Sequence, residues 1–186
     1  MQFTFNEEKL TWVNQPKLFI LNKDSLVVET EPFTDLRPMG NGAEAVEMRM
    51  LPKGNFSFSL RIQYDFKNTF DQCGITLYEG KKRKAIIGIE YYDEEITKIS
   101  TIVYHGGVGD KSIRDISSGI KYLYYRVWYR GGLCRIQYSF NGDRYLDLRE
   151  FALRGEGEIH PGIYACSPAN SSFDCIFSKV KLEDET

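Results

Sequence analysis

The sequence predicts an all-β fold in which two antiparallel sheets pack face to face, as in a β-sandwich or a jelly roll. Apolar and polar residues alternate with a period of two in roughly a dozen short segments, the pattern of strands with one buried side. Clusters of Gly, Pro and Asn separate these segments, as turns between strands do. Aromatic residues, which favour strands, make up 14% of the chain.

The N-terminal part predicts a hairpin, a long loop and two strands. Residues 17–20 and 25–30 are short β-type runs, and the Asn-Lys-Asp turn at 22–24 predicts that they pair as a hairpin. Residues 31–41 contain two prolines and predict a long loop. In the two strands that follow, apolar residues alternate at Val46, Met48 and Met50, and then at Phe56, Phe58, Leu60, Ile62 and Tyr64.

The stretch from Asp71 to Asp143 holds the strand-like segments around which the chain is organised. One side of these segments is apolar. The other side carries Tyr, Trp, Arg, Glu, Gln and Thr rather than the Lys and Glu that usually solvate a sheet. This composition suits a platform for a polar ligand. The aromatic residues on that side are Tyr78, Tyr92, Tyr124 and Trp128.

The C-terminal part predicts a second hairpin. Asn141 and Gly142 both tolerate positive φ, and they predict a turn that joins residues 135–140 to residues 144–148. Residues 148–154 are the only segment whose pattern suggests a helical turn. The last predicted strands are residues 162–166 and 173–182.

Length and charge limit the number of domains and the classes of partner. At 186 residues the chain suits one domain, and we expect residues 1–186 to form a single β-sandwich. The formal charge of -2 argues against nucleic acid or an anionic membrane as a partner, and the basic run at 81–84 predicts a solvated hairpin tip. The sequence contains no run of about 18 apolar residues, so it predicts no transmembrane helix.

The cysteines and histidines predict neither a metal site nor a bound cofactor. Cys73, Cys134, Cys166 and Cys175 show no CxxC spacing, and both histidines stand alone. The first residues have neither the basic region nor the apolar run of a secretory signal, so we expect a cytoplasmic protein with reduced thiols. The count also allows two disulfides, and Cys166 and Cys175 flank one loop.

Five short motifs carry a resemblance that spans nearly the whole chain. They are WVNQP at 12–16, FDQCGI at 70–75, GIEY at 88–91, NGD at 141–143 and GIYACSP at 162–168. In this order they resemble the DUF1349 family of concanavalin A-like proteins, the group that includes the regulation-of-enolase protein. The resemblance implies a curved jelly roll of the lectin and glucanase type, whose concave face commonly holds sugars. Relatives of this domain also occur appended to glycoside hydrolases.

Residues 106–112 (GGVGDKS) depart from the pattern of that family. The resemblance leads us to expect a Ser-Asp-Trp-Ser type segment after the strand that ends at Tyr104, and this chain has no Trp there. If that Trp contributes to a ligand site in relatives, this chain binds a different ligand or binds more weakly. Within this segment, residues 106–109 (GGVG) are not followed by the helix and Lys of a phosphate-binding loop, so they predict a flexible turn.

The sequence gives little support to catalysis. Glycosidases of the common type use two carboxyl groups. Glu90 and Glu94 share one side of a strand, but Tyr92 holds the position between them where the glucanase pattern has an acid. Glu94 lies in an acidic turn and is better explained as a solvated corner, and Cys166 has no histidine placed to activate it. We therefore expect no glycosidase activity.

The predicted binding surface is centred on Arg126 and Trp128. These two residues share the side of their strand opposite Tyr125 and Val127, which predicts that they lie on an outer face. An ion pair between Glu90 and Arg126 across one sheet face, or contact of both with a ligand, explains their mid-strand charges equally well. The full predicted surface consists of Tyr78, Glu90, Tyr92, Thr101, Arg126, Trp128 and Arg135.

Three functions are compatible with such a surface. The leading hypothesis is a non-catalytic module that binds an oligosaccharide or a sugar-like metabolite on the concave sheet face. The first alternative is a glycoside hydrolase-like enzyme that uses Glu90 with Asp143 or Asp147. The second is a protein-interaction or regulatory module.

We expect the thiols of the purified protein to be reduced, because the cysteine spacing is irregular and the sequence shows no secretory signal. Alkylation in denaturant without a reductant should then modify all 4 cysteines, as read by intact mass. Incomplete alkylation that reduction restores, or zinc in an elemental analysis, would contradict the prediction.

Overall fold

The computed structural model describes residues 10–36, 45–50, 54–153 and 157–184, and these residues form strands and turns. Within them no helix has the length and apolarity needed to cross a membrane. In chain order the strands are β1 (Leu10–Asn14), β2 (Phe19–Leu21), β3 (Ser25–Glu29), β4 (Val46–Met50), β5 (Phe56–Tyr64), β6 (Gln72–Glu79), β7 (Lys82–Tyr91), β8 (Ile96–His105), β9 (Val108–Ser117), β10 (Tyr122–Arg130), β11 (Leu133–Ser139), β12 (Leu146–Ala152), β13 (Ile159–Cys166) and β14 (Asp174–Asp184).

The described strands form two sheets of seven strands each. Sheet A has the order β1-β4-β13-β6-β7-β8-β9, and sheet B has the order β12-β11-β10-β5-β14-β3-β2. Strands β6 to β9 pair with their neighbours in the chain as antiparallel hairpins. Strand β5 instead pairs with the distant strands β10 and β14. The predicted all-β, two-sheet β-sandwich of the jelly-roll type is confirmed.

Both predicted hairpins are present, but the predicted helical turn is wrong. Strands β2 and β3 pair antiparallel, as do β11 and β12. Residues 148–152, which suggested a helical turn, belong to β12 and pair with β11, for example Glu150 with Arg135. Pairing satisfies the backbone groups of β11, and this tertiary gain outweighs a local helical preference. Residues 37–44, which include the second half of the predicted loop at 31–41, lie outside the described residues.

The hydrophobic core lies between the two sheets. It is built mainly from alternate residues of the inner strands, and the residues between them face outward, whereas the edge strand β9 contributes only the partly buried Ile116. Tyr125 and Val127 of β10 are fully buried, whereas Arg126 and Trp128 are only partly buried. The parity predicted for this strand therefore agrees with the structure. The central core residues are Phe56, Phe58, Leu60 and Ile62 from β5, Leu123, Tyr125 and Val127 from β10, Cys73, Ile75 and Leu77 from β6, and Ile87 and Ile89 from β7.

Two arginines join the sheets along one side of the sandwich. Arg149 of the edge strand β12 donates from Nη1 to the carbonyl oxygen of Thr101 at 3.2 Å and from Nη2 to Asp110 Oδ2 at 2.7 Å. Arg114 of the other edge strand, β9, donates to Tyr138 Oη at 2.8 Å. These contacts cover part of two strand edges that would otherwise be open to pairing with another chain.

A glycine in β7 makes room for a buried tyrosine on the outer face of sheet A. A Cβ atom at Gly88 would lie 2.2 Å from Tyr164 Oη, which is far inside van der Waals contact. We expect Gly88→Ala to lower the free energy of unfolding by about 1–3 kcal/mol, measured by urea denaturation, because the tyrosine must move from a packed site.

The double variant Gly88→Ala/Tyr164→Phe tests the cause. Without the hydroxyl oxygen, the nearest atom to the new methyl group is Tyr164 Cζ at 3.4 Å, an ordinary contact distance. The loss of stability in the double variant should therefore be smaller than the sum of the two single losses. Additive losses would show that the hydroxyl is not the obstacle.

Candidate functional site

The outer face of sheet B is the open polar surface that the alternation predicts. Strand β10 presents Arg126 and Trp128 there, and β11 presents Arg135 and Gln137. In the antiparallel register Arg126 lies opposite Gln137 and Trp128 lies opposite Arg135. Because each pair is directly opposed across two hydrogen-bonded strands, the four side chains form one continuous patch.

Arg126 is held between two aromatic rings. Its guanidinium carbon lies 3.9 Å from the centroid of the Tyr145 ring and 5.5 Å from that of the Trp128 ring. Its Nε donates a hydrogen bond to Gln137 Oε1 at 3.0 Å. Cation–π contacts of this kind and the hydrogen bond fix the orientation of the guanidinium. We call Arg126, Trp128 and Tyr145 the arginine–aromatic stack.

A carboxylate and a second arginine extend this patch. Arg135 donates from Nε to Asp147 Oδ1 at 2.9 Å and from Nη2 to Asp147 Oδ2 at 2.8 Å, a bidentate pair. Gln137 Nε2 donates to Asp147 Oδ1 at 2.9 Å. The hydrogen bonds from Arg135, and then that from Gln137, lower the pKa of Asp147. The result is a chain of polar contacts from Arg126 through Gln137 and Asp147 to Arg135.

Two pockets flank the arginine–aromatic stack. The first, which we call the Trp128 pocket, has a volume of about 280 Å³ and is lined by Trp128, Tyr129, Arg130, Leu133, Arg135 and Glu150. The second, the Tyr145 pocket, has a volume of about 180 Å³ and is lined by Ser59, Leu60, Tyr124, Asn141, Gly142, Asp143, Tyr145, Lys179 and Lys181. Tyr124 and Trp128 are four residues apart on β10, so the pockets are separated by about 13 Å of strand. That span suits an elongated ligand.

The outer face of sheet A contains a buried charged network instead of an open surface. The carboxylate of Glu47, 2% exposed, accepts hydrogen bonds from Tyr78 Oη at 2.6 Å and from Arg83 Nη2 at 3.0 Å. Arg83 also donates from Nη1 to the carbonyl oxygen of Leu36 at 2.7 Å. Burial, and then the negative charge of Glu47, raise the pKa of Tyr78. These groups satisfy one another, so the hydroxyl of Tyr78 is engaged within the fold.

The seven residues predicted to form one surface lie in three places. Arg126, Trp128 and Arg135 lie together on the outer face of sheet B. Tyr78 and Glu90 belong to sheet A, and Tyr92 directly follows β7 in that sheet. Thr101 of β8 is fully buried. It pairs with Ile87 and shares the core side of the sheet, so its predicted place on the outer surface is wrong.

The predicted pair of Glu90 with Arg126 is also wrong. Both residues point away from the shared core, but Glu90 belongs to sheet A and Arg126 to sheet B, so the core separates them. The Oε2 atom of Glu90 lies 3.9 Å from Lys111 Nζ. The same separation rules out Glu90 acting with Asp143 or Asp147, because those acids lie with sheet B. Parity gives the side of a strand but not the sheet to which the strand belongs.

Sequence reasoning missed three residues that matter on the outer face of sheet B. Gln137 has the same parity as Arg135, and that signal could have found it. Tyr145 immediately precedes β12, and its parity could not be assigned from the sequence. Lys179 lies at an irregularity in the pairing of β14 with β5, which the sequence does not reveal.

Comparisons with known proteins agree with this architecture. The family model described as "Protein of unknown function (DUF1349)" matches residues 12–185. A functionally unknown protein from Saccharomyces cerevisiae is 22% identical, with a TM-score of 0.81 over 96% of this chain and 98% of that chain. No curated protein matches the sequence.

Two further solved structures share the fold at low identity. The GH43 protein BlXynB from Bacillus licheniformis is 14% identical, with a TM-score of 0.73 over 99% of this chain, which spans only 38% of that protein. An alginate lyase from Alteromonas sp. 272 is 10% identical, with a TM-score of 0.66 over 98% of this chain and 97% of that chain. At these identities the likeness shows the fold alone.

The network around Tyr78 predicts a specific loss of stability at alkaline pH. The raised pKa of Tyr78 means that its stabilising effect is complete below the unfolded value of about 10 and is lost as the pH rises from there through the folded value. As the pH rises from 9 to 11, the free energy of unfolding should therefore fall by roughly 1 kcal/mol less in the Tyr78→Phe variant than in the parent chain, measured by urea unfolding.

Tyr92→Phe is the matched control for this measurement. Tyr92 is 45% exposed, and its hydroxyl lies outside the Glu47 network. We expect Tyr92→Phe to show the same decline as the parent chain. An equal decline in the parent, Tyr78→Phe and Tyr92→Phe would show that burial of Tyr78 does not affect its ionisation.

Proposed function

We propose that this chain, which belongs to the DUF1349 family, is a non-catalytic module that binds a carbohydrate or a sugar-like small molecule on the outer face of sheet B. The observation that carries the proposal is the arginine–aromatic stack with a pocket on each side. Together these features offer flat apolar surfaces and fixed polar groups along one line, which is what recognition of a short oligosaccharide requires.

The side chains of this face match the chemistry of a sugar ring. The apolar C–H face of a sugar packs on an aromatic ring, and Trp128, Tyr124 and Tyr145 supply three such rings in the two pockets. Sugar hydroxyls both donate and accept hydrogen bonds. Arg135 can donate to them in the Trp128 pocket, and Glu150 can accept from them.

The carboxylates near this face argue for binding without hydrolysis. A general acid must be protonated at the working pH, but the hydrogen bonds from Arg135 and Gln137 lower the pKa of Asp147 and favour its charged form. Glu90, the acid that sequence reasoning favoured, lies on the outer side of the other sheet. Glu90 therefore does not form a pair of carboxyl groups with Asp147 on one face.

The structural neighbours are consistent with carbohydrate recognition. One is a GH43 protein and another an alginate lyase, and both names refer to enzymes of carbohydrate chemistry. This shows only that the fold occurs among proteins of carbohydrate chemistry, since shared architecture does not imply shared function.

The test is binding of a panel of neutral and acidic oligosaccharides, measured by thermal shift and titration calorimetry. A ligand that binds the native state raises the melting temperature. Trp128→Ala should weaken binding at least about tenfold, because the stacking surface is lost. Its cost in stability should stay below about 2 kcal/mol, since Trp128 is only partly buried, whereas a core tryptophan would cost about 3–5 kcal/mol.

Tyr92→Ala is the matched control, because it removes an exposed aromatic ring associated with sheet A. Binding should survive this change. If Tyr92→Ala or Glu90→Gln abolishes binding and Trp128→Ala does not, the ligand site lies on sheet A. Hydrolysis of chromogenic glycosides that is lost in Glu90→Gln would overturn the non-catalytic assignment.

A further inference from the structure

Strand β14 contains a bulge that reverses the side on which its residues lie. Ser178 pairs with Arg61 of β5, and Lys181 pairs with Ser59, so two residues of β14 stand opposite the single residue Leu60. Before the bulge, Cys175 and Phe177 face the core. After it, Val180 faces the core. An uninterrupted alternation would have sent Lys179 and Lys181 inward, and the extra residue places both of them outside.

The bulge holds one residue in an unfavourable backbone conformation. Lys179 has a φ of 51°, in the left-handed region that favours glycine. Residues other than glycine are held in this region only where the surrounding structure fixes them, and they often occur at functional sites. The geometry of the bulge alone would favour glycine at position 179, so we looked for a function of the lysine side chain.

Both lysines line the Tyr145 pocket. Lys179 Nζ lies 3.5 Å from Tyr124 Oη and 5.6 Å from the centroid of the Tyr124 ring. Lys181 makes no ion pair with any described residue. The one carboxylate among the lining residues is that of Asp143. The lining thus carries two ammonium groups against one carboxylate, next to the guanidinium of Arg126 on the Tyr145 ring.

We propose that the Tyr145 pocket binds a uronic acid residue, with Lys179 and Lys181 holding its carboxylate and the rings of Tyr124 and Tyr145 contacting its sugar ring. Asp143 and Asn141 line the same pocket and are suited to hydrogen-bond the hydroxyl groups of the sugar. This inference rests on the proposed carbohydrate function and narrows it to an acidic glycan. The Trp128 pocket, about 13 Å of strand away, then takes another sugar of the same chain.

The charge of the sugar is tested by comparing acidic trimers with uncharged ones. The probes are trimers of galacturonate, mannuronate and guluronate, each compared with its methyl ester and with a neutral trimer. We expect at least one uronate trimer to bind about tenfold or more tightly than its ester, the difference expected for loss of one charge-assisted contact. We also expect the preference to shrink in high salt.

Three variants assign the preference to residues. Lys179→Gly and Lys181→Gln should each remove most of the preference for the acid over the ester. Lys82→Gln should retain it, because Lys82 is an exposed lysine of sheet A. Lys179→Gly should also keep or raise the melting temperature, since glycine adopts the observed φ of 51° without strain. Loss of binding in this variant would therefore not come from unfolding.

The outcomes separate this inference from the proposed function. If esters or neutral trimers bind as tightly as the acids, and Trp128→Ala abolishes that binding, the carbohydrate function stands and the uronate inference falls. If Lys179→Gly gains stability and keeps the preference for the acid, the lysine does not hold the carboxylate and the inference falls. If no saccharide binds, both proposals fall.

Discussion

Everything in this structure depends on one hydrophobic core that two sheets share. The inner strands give alternate side chains to it, and these residues are almost completely excluded from water, whereas β2, β9 and β12 add partly buried residues at its margin. Even the hydroxyl of Tyr125 is accommodated, because it donates to the carbonyl oxygen of Gly88 in the opposite sheet at 3.3 Å. Since packed sheets lie about 10 Å apart, the two outer faces are separate surfaces, and no ligand of ordinary size contacts both.

The two outer faces use polar residues in different ways. On sheet A, the buried Glu47 and Tyr78 and the partly buried Arg83 partner one another, as polar groups that leave water must to offset the cost. On sheet B the charged and aromatic groups remain accessible, and pockets lie between them. A network whose donors and acceptors are already engaged stabilises the fold, whereas accessible groups beside a cavity can bind a ligand.

The irregular position in β14 shows how a departure from regular pairing creates a chemical environment. A regular strand would give this end of sheet B no cluster of cations. The bulge adds one residue, and two ammonium groups then lie beside tyrosine rings and a carboxylate. A small conformational cost at one backbone position thus changes the charge of a pocket without disturbing the core below it.

Most of the strands, the class of fold and the side on which Arg126 and Trp128 lie are predictable from the sequence, because period-two alternation is a local property of the chain. The sheet to which each strand belongs depends on the tertiary structure. For that reason Glu90 and Arg126, similar in sequence pattern, lie on opposite outer faces. Tyr145 and Lys179 reach their pocket through a loop and a bulge, where alternation no longer holds. Strand order and bulges arise from long-range pairing, which a local pattern does not encode.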